Sequence, residues 1–240
     1  MKLRPLFWPT VAALPALLVL LWLGTWQVQR LEWKNQLIEN FESRATSAPV
    51  GLPEGLIGPE MEFRRLALTG SFDHDKEVFM TGRTYEGNAG FHIVTPFTLT
   101  DGRIILVNRG WVSESYRAPE KRKFSLIEGE TGIEAIIRFP GKKGYFVPEN
   151  EPENGFWFTL VPAQIVEHPG LDGQAETAVY AAALRTSDEI RLPIGARTET
   201  NLRNSHLGYA ITWYGLSLVL IVMTGMLIVG DRRAARREAN

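Results

Sequence analysis

The chain of 240 residues carries 26 basic and 27 acidic residues, a formal net charge of −1, and no cysteine. The lack of cysteine excludes disulfides, thiolate metal sites and covalent c-type haem attachment. A nearly neutral chain lacks the basic excess typical of nucleic-acid binding, so we predict no nucleic-acid partner.

Two long uncharged segments lie near the ends of the chain. Leu6–Val28 has no charged residue over 23 positions, and Tyr209–Val229 has none over 21. At about 1.5 Å rise per residue, each segment is long enough to cross a hydrocarbon core of roughly 30 Å. A buried core helix or a cleaved signal peptide is the alternative, but no A-x-A-like cleavage site follows the first segment. We predict transmembrane helices at 6–28 and 209–229.

The flanks of these segments predict their orientation. Lys2 and Arg4 precede the first segment, and four arginines follow the second between positions 231 and 237. Short flanks rich in Lys and Arg stay in the cytoplasm. We therefore predict a multi-pass protein of a bacterial inner membrane, surrounded by the lipid bilayer, with both termini cytoplasmic. The cytoplasmic tails are 1–5 and 230–240, and residues 29–205 form a periplasmic domain.

The intervening residues predict one mainly-β domain with a helical entry. The first helix continues to about Ser43, and 45–59 forms a linker rich in Pro and Gly. Segments rich in Val, Ile, Phe and Thr then alternate with turn signals such as Thr100-Asp101-Gly102, which predicts antiparallel pairing. The fold class is therefore an α+β membrane protein in which two transmembrane helices flank one mainly-β antiparallel extracytoplasmic domain. The predicted strands are 62–72, 77–85, 91–99, 103–112, 133–139, 155–160 and 177–184, with a short helix at 162–167.

No catalytic constellation stands out, so we predict that the protein is not an enzyme. Asp73-His74-Asp75 could coordinate a hard metal, but an acidic turn between strands is the more common explanation. His92 falls inside a strand, where a packed or surface histidine is usual, and His168 precedes a proline in a loop. The chain has no Ser/His/Asp set and no Gly-rich phosphate loop.

His206 differs from the other histidines because it lies at the outer end of the second predicted span. Asn204 or Ser205 is a candidate N-cap, and a helix N-terminus favours the neutral imidazole, which is the form that binds a metal or haem iron. An interfacial histidine beside an aromatic belt is the alternative. Helical spacing predicts two faces that could form an aromatic pocket, with Arg203 and Arg30 available for carboxylates. One face holds His206, Tyr209, Ala210 and Trp213, and the other holds Trp22, Trp26, Arg30 and Trp33.

Five sequence motifs resemble those of the Surf1 family, and the resemblance covers about residues 20–217. The motifs are Gly24-Thr25-Trp26-Gln27-Val28-Gln29-Arg30 followed by Trp33-Lys34, then Gly70-Ser71-Phe72-Asp73, Val94-Thr95-Pro96-Phe97, Val107-Asn108-Arg109-Gly110-Trp111-Val112, and Asn204-Ser205-His206-Leu207-Gly208-Tyr209-Ala210-Ile211-Thr212-Trp213.

The resemblance implies a chaperone-like assembly factor for cytochrome c oxidase that binds haem a as transient cargo and helps it reach the catalytic subunit. His206 would then be the axial ligand of the haem iron, with Trp26, Arg30, Arg203, Tyr209 and Trp213 around the cofactor. The oxidase catalytic subunit is the implied partner, and haem a synthase is a further candidate. A scaffold that grips an oxidase subunit without binding haem is the alternative function.

Two features of the motifs bear on these roles. Val161 stands where the resemblance leads us to expect an acidic residue, which affects any role of that acid and the capping of the following helix. In Asn108-Arg109-Gly110-Trp111 we favour a packing role over haem contact, because Gly allows a close approach and Trp fills a core.

Overall fold

The structure, a computed structural model, describes residues 7–168, 171, 174–185, 191–198 and 204–238. They divide into a helical unit, drawn from the two ends of the chain, and a β unit that begins at Phe41. The elements in chain order are α1 (Phe7–Ala45), β1 (Arg65–Phe72), β2 (Val78–Tyr85), β3 (Asn88–Leu99), β4 (Ile104–Ser113), β5 (Thr131–Arg138), α2 (Pro162–Glu167), β6 (Tyr180–Ala183) and α3 (His206–Glu238).

The sheet of the β unit closes on itself. Its strand order is β1-β5-β6-β4-β3-β2, and β1 also pairs with β3. Closure is achieved by the long strand β3, whose first half pairs with β2 and whose second half pairs with β1 through Gly70↔Leu99 and Phe72↔Phe97. Five strands therefore form a hydrogen-bonded ring, and β2 extends it at one side.

Closure of the ring explains the one departure from the predicted antiparallel pairing. Among the described strands, every pairing is antiparallel except that of β4 with β6, which is parallel through Val107↔Ala181. Strand directions cannot alternate all the way around a ring with an odd number of members. One parallel contact is therefore required, and it falls where β6, the last strand, fits between β5 and β4.

The main core of the β unit lies inside this ring. Alternate residues of each strand point to one face, so each of the five strands in the ring contributes one or two apolar side chains to this core. Leu52 and Ile57 from the predicted linker also pack there, so that segment is part of the core rather than a free tether. The strand residues of this core are Leu66, Leu68, Phe97, Leu99, Ile105, Val107, Ala135, Ile137 and Ala181.

The predicted turns agree with the observed hairpins. Gly102 has a φ of +86° in the turn between β3 and β4, and Glu86-Gly87 has φ values of +49° and +81° between β2 and β3. Two successive left-handed residues make the tight turn that matches the right-handed twist of paired strands.

The prediction of a strand at 155–160 is wrong. This segment makes only single bridges, such as Met80↔Trp157. Two of its N–H groups, those of Phe158 and Thr159, donate instead to Oδ1 of the Asn150 side chain at 2.8 and 2.9 Å. An amide side chain thus replaces a neighbouring strand, and Trp157 is buried beside it.

Helix α2 begins as predicted at Pro162, but without a side-chain cap. Val161 occupies the N-cap position and offers no polar atom, so only its carbonyl takes part, accepting from Ile165 N at 3.2 Å. Proline at the first helical position lacks an N–H and so removes one donor that would need a cap.

The two terminal helices are long and apolar enough to cross a membrane, judged by length and composition. Helix α1 contains most of the first predicted span and continues to Ala45, and α3 contains the whole of the second. In their most apolar windows only 11% and 6% of the residues are buried inside the protein.

Candidate functional site

The helical unit is built around a narrow seam between α1 and α3. On each helix the less exposed residues recur at alternating spacings of three and four, the pattern of two helices packed along their length. Gly24 and Gln27 on α1, and Ala210 and Ser217 on α3, are the most buried of these. The seam residues are Ala13, Leu17, Leu20, Gly24, Gln27 and Leu31 on α1, and His206, Ala210, Trp213, Ser217, Leu220 and Thr224 on α3.

The two aromatic faces expected from helical spacing do not meet, so that part of the prediction is wrong. Trp22, Trp26 and Tyr209 are 66%, 45% and 56% exposed, on the outside of the helix pair. Arg30 is also exposed, and its guanidinium lies 3.8 Å from the ring centre of Trp33. Trp213 lies on the seam and is only partly exposed, and Arg203 lies outside the described residues.

A small residue explains why the seam takes this course. A Cβ atom at Gly24 would lie 2.9 Å from Cε1 of Tyr214, so only glycine lets the ring approach so closely. Thr25 Oγ1 donates to the Leu21 carbonyl at 2.9 Å and lies 3.1 Å from the Tyr214 hydroxyl, which can donate to it. A tryptophan on this face would hold the helices apart.

His206 lies at the first position of α3 and is tied to α1 by its side chain. Its Nδ1 lies 2.7 Å from Oε1 of Gln27, and Gln27 is only 9% exposed. The predicted cap is present, since Asn204 Oδ1 accepts from His206 N at 3.4 Å. Asn204 also donates to Oδ1 of Asn35 at 2.9 Å, a second polar contact between the helical segments. These four residues form a polar cluster at one end of the seam.

Gln27 and Asn35 were not singled out from the sequence. The available signal is that Gln27 is a polar residue inside a 23-residue uncharged segment, three positions after Gly24. A polar side chain in such a helix generally faces a partner rather than lipid.

A second polar cluster lies in the β unit and is built around Glu77, whose side chain is 2% exposed. Arg109 Nη1 donates to Glu77 Oε1 at 3.1 Å, and Arg122 donates to Oε2. The side chain of Arg109 is 6% exposed and that of Arg122 is fully buried. Thr95 Oγ1 donates to Glu77 Oε1 at 3.0 Å.

The position of Glu77 sets its ionisation. Burial alone would raise its pKa, but hydrogen bonds from Arg122 and His74 and the charges of Arg122 and Arg109 together lower it below the usual range. The carboxylate therefore stays ionised and holds the two buried guanidinium groups. This cluster lacks a nucleophile or an open pair of carboxylates, and its arrangement suits a structural role.

The Asn108-Arg109-Gly110-Trp111 motif packs as predicted. Asn108 Oδ1 accepts from Gly110 N at 3.0 Å, and Trp111 is 7% exposed. Gly110 has a φ of +116°, and a Cβ there would lie 2.0 Å from the Ile194 carbonyl oxygen, so the position requires glycine.

Two of the other histidines, His74 and His92, have structural partners. His74 lies in a short turn between β1 and β2, where its Nε2 is 3.0 Å from the Ile127 carbonyl and its Nδ1 3.0 Å from Glu77 Oε1. His92 Nδ1 lies 3.2 Å from Asn108 Nδ2, and burial, with the charge of Arg83, lowers its pKa to about 4. Within the described ranges, no group of three metal-ligating side chains is present.

Comparison with known proteins identifies the family. The model of the SURF1 family matches residues 14–218. The chain is 39% identical to Surfeit locus protein 1 of Homo sapiens over 212 residues, covering 81% of this chain and 69% of the relative. It is 34% identical to a SURF1-like protein of Monosiga brevicollis over 230 residues, covering 91% and 85%. The chain belongs to the SURF1 family.

Proposed function

We propose that this protein is a membrane-bound assembly factor for cytochrome c oxidase that binds haem a and helps its insertion into the catalytic subunit, without turnover chemistry. Membership of the SURF1 family supports the assembly role. The observation that carries the haem proposal is the placement of His206 at the start of an apolar helix, with one ring nitrogen engaged by Gln27.

The exposed surface of the helical unit supports the membrane part of the proposal. Large apolar side chains such as Leu14, Leu18 and Leu218 are 60–62% exposed along the helices. A core helix of a soluble protein would bury such residues, whereas in a bilayer they face lipid. We place the protein in a bacterial inner membrane with both termini cytoplasmic, as the basic flanks predict.

The chemistry of the cargo supports a site at the end of the helix pair. Haem a is apolar and poorly soluble, so a carrier should hold it in or beside the bilayer. Neutral imidazole is a haem-iron ligand, and a single axial ligand allows release to a receiving protein. Trp26 and Tyr209 lie on the exposed surface of the same helix pair, where their rings are available to an apolar ligand. Arg30 and Arg203 are candidates for its propionates.

The proposed partners follow from the same chemistry. The catalytic subunit of the oxidase receives the haem, and haem a synthase is a candidate donor. The β unit is the part that we propose to bind these partners outside the bilayer.

The experiment is purification from cells that make haem a, followed by absorption spectroscopy. We expect haem in the wild type and a loss of most of it in His206→Ala, because the axial bond is gone. His206→Met should restore part of it with a shifted spectrum, since a thioether also ligates haem iron. His168→Ala is the matched control and should retain haem. Reporter fusions at Asn240 and Glu128 should report cytoplasm and periplasm respectively.

Three outcomes would contradict the proposal. Unchanged haem content in His206→Ala would show that His206 is not the haem ligand. Oxidase assembly that survives this substitution but fails when the surface of the β unit is altered would favour the scaffold function. A cytoplasmic signal from the Glu128 fusion would overturn the topology.

A further inference from the structure

We propose that Gln27 is a positioning residue for His206, which it holds in the tautomer that carries its proton on Nδ1, so that Nε2 presents the ligating lone pair. The inference rests on the proposed function only where it concerns haem. The arrangement of the two side chains stands independently of it.

The contact between the two side chains sets the direction of the hydrogen bond. Oε1 of Gln27, an amide carbonyl oxygen, lies 2.7 Å from Nδ1 of His206. A carbonyl oxygen only accepts, so the ring nitrogen must be the donor. Neutral imidazole has one N–H, and therefore Nε2 is left with a free lone pair. Among the described residues, no hydrogen bond reaches Nε2 of His206.

The burial of Gln27 strongly favours the Nδ1–H tautomer of His206. Gln27 is 9% exposed, so its carbonyl cannot exchange freely with water if the ring turns away. A buried polar atom that loses its hydrogen-bond partner destabilises the structure, which favours the Nδ1–H form over the alternative. The same bond fixes the orientation of the ring about its side-chain torsions.

Neighbouring contacts keep Gln27 and His206 at the same height along the helix pair. Gln27 follows Gly24 by three residues, on the face where Tyr214 packs, so sliding of the helices would break that close contact. On the other side of His206, Asn204 bonds both His206 N and the Asn35 side chain. The amide is therefore presented to the ring by helix packing rather than by chance proximity.

The arrangement matches a general property of metal-binding histidines. Their second ring N–H usually donates to a carbonyl or carboxylate, which fixes the tautomer and raises the basicity of the ligating nitrogen. Gln27 supplies such an acceptor without a charge, which suits a low-dielectric location and a ligand that must later be released.

The first test uses the protein without haem. Histidine labelled with ¹⁵N is observed in the purified full chain, and the His206 signals are identified by their loss in His206→Ala. We expect the wild type to carry the proton on Nδ1 and Gln27→Leu to shift towards Nε2–H. Gln29→Leu, an exposed glutamine on the same helix, should match the wild type. An Nε2–H ring in the wild type, or no change in Gln27→Leu, would overturn the proposal.

The second test uses the haem-loaded protein. Gln27→Leu should weaken haem retention about tenfold, as loss of such a hydrogen bond typically does. Gln27→Glu should raise the iron–histidine stretching frequency of the ferrous form, because a carboxylate attracts the Nδ1 proton more strongly. A frequency unchanged in both variants would count against positioning.

These tests separate the two proposals. If the wild type holds no haem but the tautomer changes in Gln27→Leu, the haem function fails and the positioning of the ring stands. If His206→Ala loses haem while Gln27→Leu matches the wild type in both tests, the haem function stands and the positioning fails.

Discussion

The β unit and the helical unit place their apolar residues in opposite ways. In the β unit, five strands enclose side chains such as Leu66, Phe97 and Ile105, each fully buried. In the helical unit many leucines, valines and tryptophans are exposed, and the most buried residues of the seam are small or polar, namely Gly24, Gln27, Ala210 and Ser217. A strand ring is stabilised by removing apolar surface from water, whereas helices in lipid gain nothing from that and associate through close packing and hydrogen bonds.

The polar clusters of the two units also differ, in the charge of their side chains and in their position. In the β unit the charges of Glu77, Arg109 and Arg122 are buried and depend on one another. In the helical unit the cluster around His206 consists of three amide side chains and one imidazole, and it lies at the end of the seam. The first arrangement suits stability, and the second is the one for which we propose ligand binding.

The largest expected effect comes from removing the charge of Glu77. Glu77→Gln should lower the free energy of unfolding by about 3–5 kcal/mol, because two buried guanidinium groups lose their counter-ion. Denaturant unfolding of the purified protein measures it. Glu134→Gln is the matched control, since its pair with Arg65 at 2.5 Å is partly exposed and should contribute about 0–1 kcal/mol. Equal losses in the two variants would contradict this account.

The next effect is a dependence of stability on pH through His92. Its pKa is lowered in the folded state to about 4, below the ordinary histidine value of 6.5. The unfolded chain therefore binds more protons in this range, and stability is lost as the pH falls from about 6.5 to 4. Because the His92 side chain is partly exposed, we expect the free energy of unfolding to fall by about 2 kcal/mol across this pH range.

The comparison of His92→Gln with His168→Gln tests this assignment. His92→Gln should flatten the unfolding free energy between pH 6.5 and 4, whereas His168→Gln, at an exposed position, should leave its slope unchanged. Glu77 contributes a separate loss at low pH: its pKa is lowered, so its stabilisation is present above the ordinary pKa of a glutamate and disappears as the pH falls through the lowered pKa. An unchanged slope in His92→Gln would assign the dependence to other groups.

The smallest effect concerns the seam of the helices. Gly24→Leu should displace the Tyr214 ring at a cost of about 1 kcal/mol, the low end for overpacking, because that ring is 39% exposed and can turn away. The chain has no native cysteine, so an Asn35→Cys/Asn204→Cys pair reports the approach of the helices by disulfide yield. Gly24→Leu should lower the yield. Gly215→Leu, at an open position, should not, and equal yields in both would contradict the packing role of Gly24.

Much of the architecture follows from patterns within single segments. Period-two apolar residues identified β1 to β5, and the turn signal at Thr100-Asp101-Gly102 placed the hairpin. The aromatic run Phe156-Trp157-Phe158 is typical of a strand, but the N–H groups of Phe158 and Thr159 donate to the side chain of Asn150. That contact joins residues eight or nine positions apart and leaves no periodic trace in the sequence.

The sequence correctly placed His206 at the start of a helix with a cap at Asn204 or Ser205, since both depend on the position of a helix end. The partner of His206 did not follow from the sequence. Helical spacing allows several faces of α1 to meet α3, and the sequence favours the face that holds Trp22, Trp26 and Trp33. The close approach of Tyr214 at Gly24 selects another face, and it brings Gln27 to the ring.

The sequence by itself determined most of the helices and strands and the turns between them, because hydrophobic periodicity and turn signals depend on neighbours within a few residues. Only the tertiary structure decided the parallel contact that closes the strand ring, the burial of Glu77 between two arginines, and the pairing of His206 with Gln27. Each of these depends on the distance between residues remote in the chain, which is set by steric fit across a whole interface.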